Sequence, residues 1–576
     1  MTPWLKFSIE TAGTSIFILA GISWLWKNTS HKKTFDTVSK HLDSYLKRYP
    51  RRTGLASFLI CLVIYELTLS YGGTFDEYSY AIAVRGPGFF YHPNHFVPHI
   101  FADLSYRIYH FFTHRLDSLL ATKAINALFG ALSVWLVYGI TRRIIQSVSV
   151  ALFTSLMFGT AFGTWKYATS GEVYTIMMTF LLLALFFYIC LFQEDRINFS
   201  SLLFMALLMN LFVYSHNVSA LAGLAFGIPL FIRNKKSFMY FIATGAIMFL
   251  ILQTWGSVSH GIRSIQGWIN HNFHYAVTGY VGDNALISLN LFKNLPLTLR
   301  DGTITIFAGI ETSIERMGFF SRILTFLIYT VLWGGFFGTA IFIVRRYRLF
   351  INQLRTNGIY LSLSILLVVF GLFATIWTPG NDELLHWLIP FLLLVTVYSY
   401  HLAEIPPHRT ALVLALFLPL VIISSLGTSS FSQSKLLSPR WLDYVIDRDT
   451  KQMTFHPGDV LIYRYDEAEI FANYYFSSSY RLYLENRAPF LSELRGTPQE
   501  SLPLINAQNF VVKPYPFKLR RILTTTPMLK AYPELREQLA LTRLNSSYWQ
   551  IDKFPSSWPT DINLRVLFVK KEALRN

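Results

Sequence analysis

Charge is what this chain has least of. Charged residues occupy 14% of its 576 positions, against roughly 25% in soluble globular proteins, so lipid and not water must solvate most of its surface. Acidic groups are the scarcer sign, with 33 Asp and Glu against 50 Lys and Arg and a formal net charge of +17. That excess does not point to nucleic acid. The cations gather in short segments between apolar runs, which is how a membrane protein sets its orientation, and no nucleic-acid partner is expected. Cysteine is nearly absent too. Cys61 and Cys190 are the only two, both fall inside predicted spans, and they exclude a disulfide framework or a cysteine-built metal cluster. No internal repeat, low-complexity tract or Walker-type loop occurs, which sets nucleotide hydrolysis aside.

Apolar runs are abundant in compensation. They cover Gly54–Tyr71, Ser118–Ile140, Ser147–Trp165, Val173–Phe192, Leu202–Tyr214, Val218–Ile232, Phe238–Trp255, Ile323–Val344, Gly358–Trp377, Leu384–Tyr400 and Ala411–Leu426. With spans of about twenty residues each, this predicts about eleven transmembrane helices, and Thr14–Trp26 is a twelfth span, a signal anchor or an interfacial helix, with a span favoured. Basic clusters at Lys27–Arg52, Arg142-Arg143, Arg196, Arg233–Lys236, Arg345–Arg355 and Arg409 fall on every second loop, which marks the cytoplasmic face. The alternate loops then face outward, as does a polar tail beginning near Phe431. The expected organisation is a membrane-helix and basic-linker segment over 1–53, a transmembrane domain over 54–430 and an extracytoplasmic domain over 431–576. Two outer loops, 72–117 and 256–302, interrupt the transmembrane part. The tail reads as a small α/β domain, with strands at Val460–Tyr463, Phe510–Val512 and Leu564–Val569.

The outward loops hold the chemistry. Asp76-Glu77 lies in the first of them, and carboxylates at a membrane boundary call for a substrate, an ion or a partner. Phe75–Arg85 and Pro98–His114 read as two short interfacial helices separated by Gly86-Pro87-Gly88 and His92-Pro93-Asn94-His95. Neighbouring helical residues point about 100° apart, so Asp76 and Glu77 are not a shared-proton dyad. One is expected to act as general base while the other orients a neighbour. An acidic pair favoured by the helix dipole is the simpler alternative.

Further outward candidates are Lys166, which either meets a phosphate or snorkels to the interface, and Glu172 with Tyr174 at the start of the next span. His216-Asn217 occupies a tight turn where capping chemistry is an equal alternative. Asp382 and His386, four apart, would share a helix face and form either a hydrogen bond or half of a metal site. Arg263, in the long outer loop, either grips a lipid phosphate or sits on an interfacial helix with no ligand.

Taken together these pieces resemble a GT-C-fold glycosyltransferase. Within that superfamily the chain is most similar to the multi-pass family that includes an endoplasmic-reticulum protein O-mannosyltransferase and bacterial members. Asp76-Glu77 with His92-Pro93, Glu172-Val173-Tyr174, Ser215-His216-Asn217 and Pro457-Gly458-Asp459-Val460-Leu461 carry the resemblance, which runs from about Gly54 to Tyr475. Two departures stand out: Asn94 replaces a second proline, and Thr74-Phe75 precedes the acidic pair.

The resemblance implies an all-α polytopic membrane protein with a small C-terminal α/β domain. It also implies a polyprenyl-phosphate-linked sugar donor, a hydroxyl acceptor on protein, lipid or glycan, and inverting transfer of a hexosyl or pentosyl group at the outer or lumenal face. A bacterial inner membrane is the first expectation and the endoplasmic reticulum the second. Asp76 would be the base, with Glu77, Arg85, His92, His95, Lys166, Glu172, Tyr174, His216, Asn217, Arg263, Asp382 and His386 around substrate or a divalent cation. Membrane lipid is the remaining partner. A transporter or flippase is the rival reading, to which Glu66 inside the first span lends weight. An O-antigen-ligase-like transferase is another.

Overall fold

The computed structural model describes residues 41, 43–70, 75–85, 95–114, 117–194, 197–259, 262–272, 291–300, 302, 307, 330, 334–376 and 385–432, and seven strands beyond them. The segment Thr14–Trp26, His92, Asp382, the turn before Asp459 and most of 273–333 lie outside the described residues. The chain divides into two compact units, one of residues 1–70 and 84–432, the other of residues 71–83 and 433–576.

The first unit is helical. In chain order its elements are α1 (Pro50–Leu67), the end of α2 (Phe75–Arg85), α3 (Phe96–Thr113), α4 (Ser118–Ile145), α5 (Val148–Thr160), α6 (Phe162–Ala168), α7 (Tyr174–Gln193) and α8 (Phe199–Ser215). A 3-10 turn, Asn217–Leu221, leads into α9 (Ala222–Arg233), α10 (Lys235–Ser259), α11 (Ile265–Asn272) and α12 (Leu291–Arg300). Then follow α13 (Gly334–Arg345), α14 (Tyr347–Thr356), α15 (Gly358–Ile376), α16 (Leu388–Leu402) and α17 (Pro407–Ser432). Five of the described helices are long and apolar enough to cross a membrane, and the bent pair α5–α6 is either a broken sixth span or a re-entrant loop. The protein is a helical multi-pass membrane protein, as expected, and its described residues hold five or six of the eleven to twelve spans read from the sequence.

Local rules account for the helix ends. Asp117 caps α4 by accepting from the Leu120 amide at 3.0 Å, and Asn198 caps α8 by accepting from Ser201 at 2.7 Å. Arg142 and Arg143 sit in the last turn of α4, where cations favour the helix dipole and where the basic loops begin. Burial then sorts the spans: 72% of the α7 window is buried against 17% of that in α10. So α7 is the central post, while α10 turns Met239, Ile247, Leu250, Ile251 and Trp255 outward as a lipid-facing side.

The run read from sequence as one span, Ser147–Trp165, is broken in the structure. α5 and α6 meet at 63°, and Ala161 between them is extended, with φ −59° and ψ 136°. The buried hydroxyl of Tyr65 donates to the Gly159 carbonyl at 2.6 Å. That carbonyl would otherwise accept from Gly163 in a continuous helix, so α1 supplies the bond that the ladder gives up. Glycine also permits the close approach. A Cβ on Gly159 would stand 2.7 Å from Val134 and 2.8 Å from Cys61, and one on Gly130 would stand 2.6 Å from the Ala168 methyl.

α3 shows the two-sided character of an interfacial helix. Phe96, Val97, Ala102 and Tyr106 are buried, with Phe101 edge-on to Phe129 at 4.7 Å. Leu104, Ile108, Phe111 and Phe112 are exposed on its other side.

The second unit carries β1 (Asp459–Ile462), β2 (Tyr480–Leu482), β3 (Pro503–Asn506), β4 (Val511–Pro514), β5 (Arg521–Thr525), β6 (Tyr548–Trp549) and β7 (Leu564–Lys570). Five of them form a mixed sheet in the order β2-β1-β5-β7-β6, with β1 parallel to β2 and β5, and β7 antiparallel to β5 and β6. Val460 pairs with Ile522, and β3 and β4 form a separate antiparallel pair. β1, β4 and β7 coincide closely with the three strands expected of the tail.

Candidate functional site

In the first unit, the ends of several helices converge on a group of aromatic and histidine side chains. His95 precedes α3, and its Nδ1 lies 3.1 Å from the Ser215 carbonyl. A carbonyl only accepts, so Nδ1 carries a proton at this contact. His216 follows α8 in extended conformation, with its ring 5.0 Å from that of His95, 5.3 Å from Trp387 and 6.1 Å from Tyr174. Tyr174, the first residue of α7, lies 5.7 Å from His386 and 5.3 Å from Tyr167. His386 packs against Tyr167 at 4.5 Å. Lys166 sets its ammonium 5.3 Å from the Tyr167 ring, a cation–π distance. Tyr167, Tyr174, His386 and Trp387 are buried, while His95, Lys166 and His216 are half-buried and form the open side of the group.

A buried polar network holds this group from below. On α4, Lys123 and Asn126 are one helical turn apart and share a face. The Lys123 ammonium donates to the Ser70 carbonyl at 2.9 Å, and the Ser70 amide donates to Thr169 at 3.0 Å. The Asn126 amide donates to the carbonyls of Ser170 at 2.7 Å and Glu172 at 2.5 Å. Trp165 Nε1 donates to the Thr68 hydroxyl at 2.7 Å. The turn 169–172 is therefore tied to α1 and α4 by side chains almost wholly out of water, and Glu172, itself 3% exposed, is part of that turn. Such a network fixes the entry of α7 and with it the Tyr174 ring, because every bond lost here leaves a buried polar group without water to replace it.

The structure thus brings His95, Lys166, Glu172, Tyr174, His216 and His386 into one region of the first unit. His386 lies in a turn just before α16, and its expected helix-face partner Asp382 lies outside the described residues. Arg263 is exposed ahead of α11, and no described side-chain interaction joins it to the group. Asn217 opens the 3-10 turn and Arg85 closes α2.

Asp76 and Glu77 occupy the first turn of α2, within the second unit. The helix predicted over Phe75–Arg85 has the same bounds in the structure. Asp76 is exposed and Glu77 fully buried, as expected for adjacent residues about 100° apart on a helix. Sequence reasoning missed Tyr167, Trp387, Lys123 and Asn126 as parts of the group. The available signal was an ionisable and an amide residue on one face of an otherwise apolar span.

This arrangement defines a polytopic membrane protein with a polar, aromatic-lined group at the ends of its helices, in a fold shared with solved structures. No family model and no curated protein matches the sequence. Among solved structures the chain is similar to ArnT from Cupriavidus metallidurans bound to undecaprenyl phosphate, at 13% identity and a TM-score of 0.54. It is similar as well to the same protein in the apo state, at 14% identity and a TM-score of 0.55. Both matches cover 89% of this chain and 97% of the other. The archaeal oligosaccharyltransferase AglB from Archaeoglobus fulgidus, in complex with an inhibitory peptide and a dolichol-phosphate, overlaps at 12% identity and a TM-score of 0.45, over 92% of this chain and 77% of that one.

Proposed function

We propose that the protein is an integral-membrane glycosyltransferase that moves one sugar from a polyprenyl-phosphate carrier to a hydroxyl acceptor at the outer or lumenal face. The observation that carries this reading is the likeness, over almost the full length of both chains, to a protein whose crystal structure holds undecaprenyl phosphate. Asp76, exposed in the first turn of α2, takes the proton from the acceptor hydroxyl. The acceptor oxygen then attacks the anomeric carbon as the bond from that carbon to the phosphate oxygen breaks, with inversion. The leaving group is already a phosphate, so the site needs positive charge on it more than it needs a general acid.

Lys166, half-buried and held over Tyr167, is the cation best supported for that role. Arg85 and Arg263 remain further candidates. His95, His216, Tyr174 and His386 orient sugar and phosphate, and Glu172 holds the turn that presents Tyr174. Among the described residues no group of three His, Cys, Asp or Glu converges in a way that could hold a metal ion.

The test is sugar release or transfer from a panel of polyprenyl-phosphate sugars by purified protein in detergent. Asp76→Asn should lower turnover by about a hundredfold or more, the usual range for loss of a general base, and Glu77→Gln by less. Loss confined to Glu77→Gln would move the base by one residue. Turnover with no donor by a folded protein would overturn the reading in favour of a transporter.

A further inference from the structure

We propose that α14, on the basic-loop side of the membrane, is a headgroup-binding helix that engages anionic phospholipid through Arg345, Arg348 and Arg355. The short helix lies between the apolar helices α13 and α15 and is fixed to the body by its inner face. Phe350 is 4% exposed, and its ring lies 6.1 Å from both Phe342 and Tyr360, with which it stacks. Arg346, exposed just ahead of the helix, is engaged by the body as well. It donates to the Ala403 carbonyl at 3.0 Å and lies 5.3 Å from the Phe342 ring. The orientation of the opposite face is thereby set.

That outer face alternates apolar and cationic side chains. Tyr347 is 53% exposed and Ile351 44%, one turn apart, and Val344 just before the helix is 69% exposed. Arg348, Ile351 and Arg355 follow at intervals of three and four and so form a single stripe, with exposed Arg345 at its head. Arg348 rests against Tyr347, its Nε donating to the tyrosine oxygen at 3.2 Å. Among the described residues no carboxylate pairs with Arg345, Arg348 or Arg355.

Three arginines that pair with no described carboxylate, interleaved with exposed apolar side chains at the end of a span, fit the boundary of a bilayer. The apolar groups enter the acyl layer, and the guanidinium groups meet phosphodiester oxygens with two parallel donors each. Charge selects the occupant, since a zwitterionic headgroup offers no net attraction while an anionic one adds a gain for each arginine. An acidic protein segment or a second copy of the chain would use the same face differently, and the test separates them.

The full chain would be purified in detergent with equal phosphatidylglycerol and phosphatidylcholine, and retained lipid measured by native mass spectrometry. Phosphatidylglycerol should be preferred, and Arg348→Gln or Arg355→Gln should each reduce that preference by about fivefold. The triple change Arg345→Gln, Arg348→Gln, Arg355→Gln should abolish it. Independently, a spin label at Ile351→Cys in a Cys190→Ala background, reconstituted in vesicles of the same lipids, should collide with oxygen more than with a water-soluble nickel chelate. An unchanged lipid preference in the single and triple variants, or a water-facing label, would overturn the proposal. So would a shift in oligomeric state on removing the arginines with lipid retention unaltered, which would make a second copy the occupant.

Discussion

Asn126 and Lys166 illustrate how single residues matter here for different reasons. Asn126 touches nothing at the open side of the group, yet its amide holds two carbonyls of the turn that launches α7. Asn126→Leu keeps the volume and removes both donors, leaving two buried carbonyls unpaired at about 1–3 kcal/mol each. The expected outcome is a lower melting temperature in detergent together with loss of transfer, because Tyr174 loses its register. Lys166 is half-buried with its ammonium over the Tyr167 ring, and Lys166→Met keeps the apolar stem while removing the charge. It should reduce kcat/KM for the lipid-linked donor by about tenfold to a hundredfold, the worth of one charge-assisted hydrogen bond to a phosphate. Steady-state kinetics at several donor concentrations would check this, and an unaltered kcat/KM would return Lys166 to a snorkelling role.

At the scale of elements, the joint between α5 and α6 is the feature that sequence periodicity did not carry. An apolar run of that length fits one span, and neither Gly159 nor Gly163 compels a break. The break follows from Tyr65 on a separate helix capturing the Gly159 carbonyl. Close packing at Gly130 and Gly159 then lets side chains of neighbouring helices press directly on the α4 and α5 backbones. Gly130→Val should destabilise by about 1–3 kcal/mol, the ordinary cost of overpacking, because the added methyls meet Ala168 and Tyr65 with no open space behind them. Thermal unfolding followed by tryptophan fluorescence would measure it. A neutral Gly130→Val would mean that α6 can shift away from α4. Gly223, whose added Cβ would meet nothing within 4 Å, is the matched control, and Gly223→Ala should be silent.

Across the molecule, one polar knot ties the residues ahead of α1 to the loop between α4 and α5. Asp43 is 9% exposed. It accepts from the hydroxyls of Ser149 at 2.6 Å and Ser147 at 3.1 Å, and it pairs with Lys47 at 2.8 Å. Burial by itself pushes the Asp43 carboxyl up, but Lys47 and Ser149 outweigh it and hold the group below the ordinary aspartate range. A depressed folded value means that the contribution is fully present above the unfolded pKa of about 3.9 and is lost as pH falls through the folded one. Asp43→Asn should therefore melt below wild type near neutral pH, with the gap closing in acid. Melting curves from neutrality to about pH 3 would test it, and a constant gap would assign the effect to packing and not to charge.

Composition and periodicity by themselves determined that the chain is a multi-pass membrane protein. Twenty-residue apolar runs have only one stable outcome in a bilayer, where every backbone group must bond within its own segment. The same local logic determined α2 from Phe75 to Arg85 and the strands β1, β4 and β7, since helix and strand periods are written residue by residue. Which outward residues meet was decided only by the tertiary structure. His95, Lys166, Tyr174, His216 and His386 come from five places in the chain, and nothing in their spacing brings them together. Their meeting depends on glycines that admit close helix approach, on Tyr65 bending a span, and on Lys123 and Asn126 tying a turn from within the membrane. Those are bonds between distant segments, and periodicity within one segment carries no record of them.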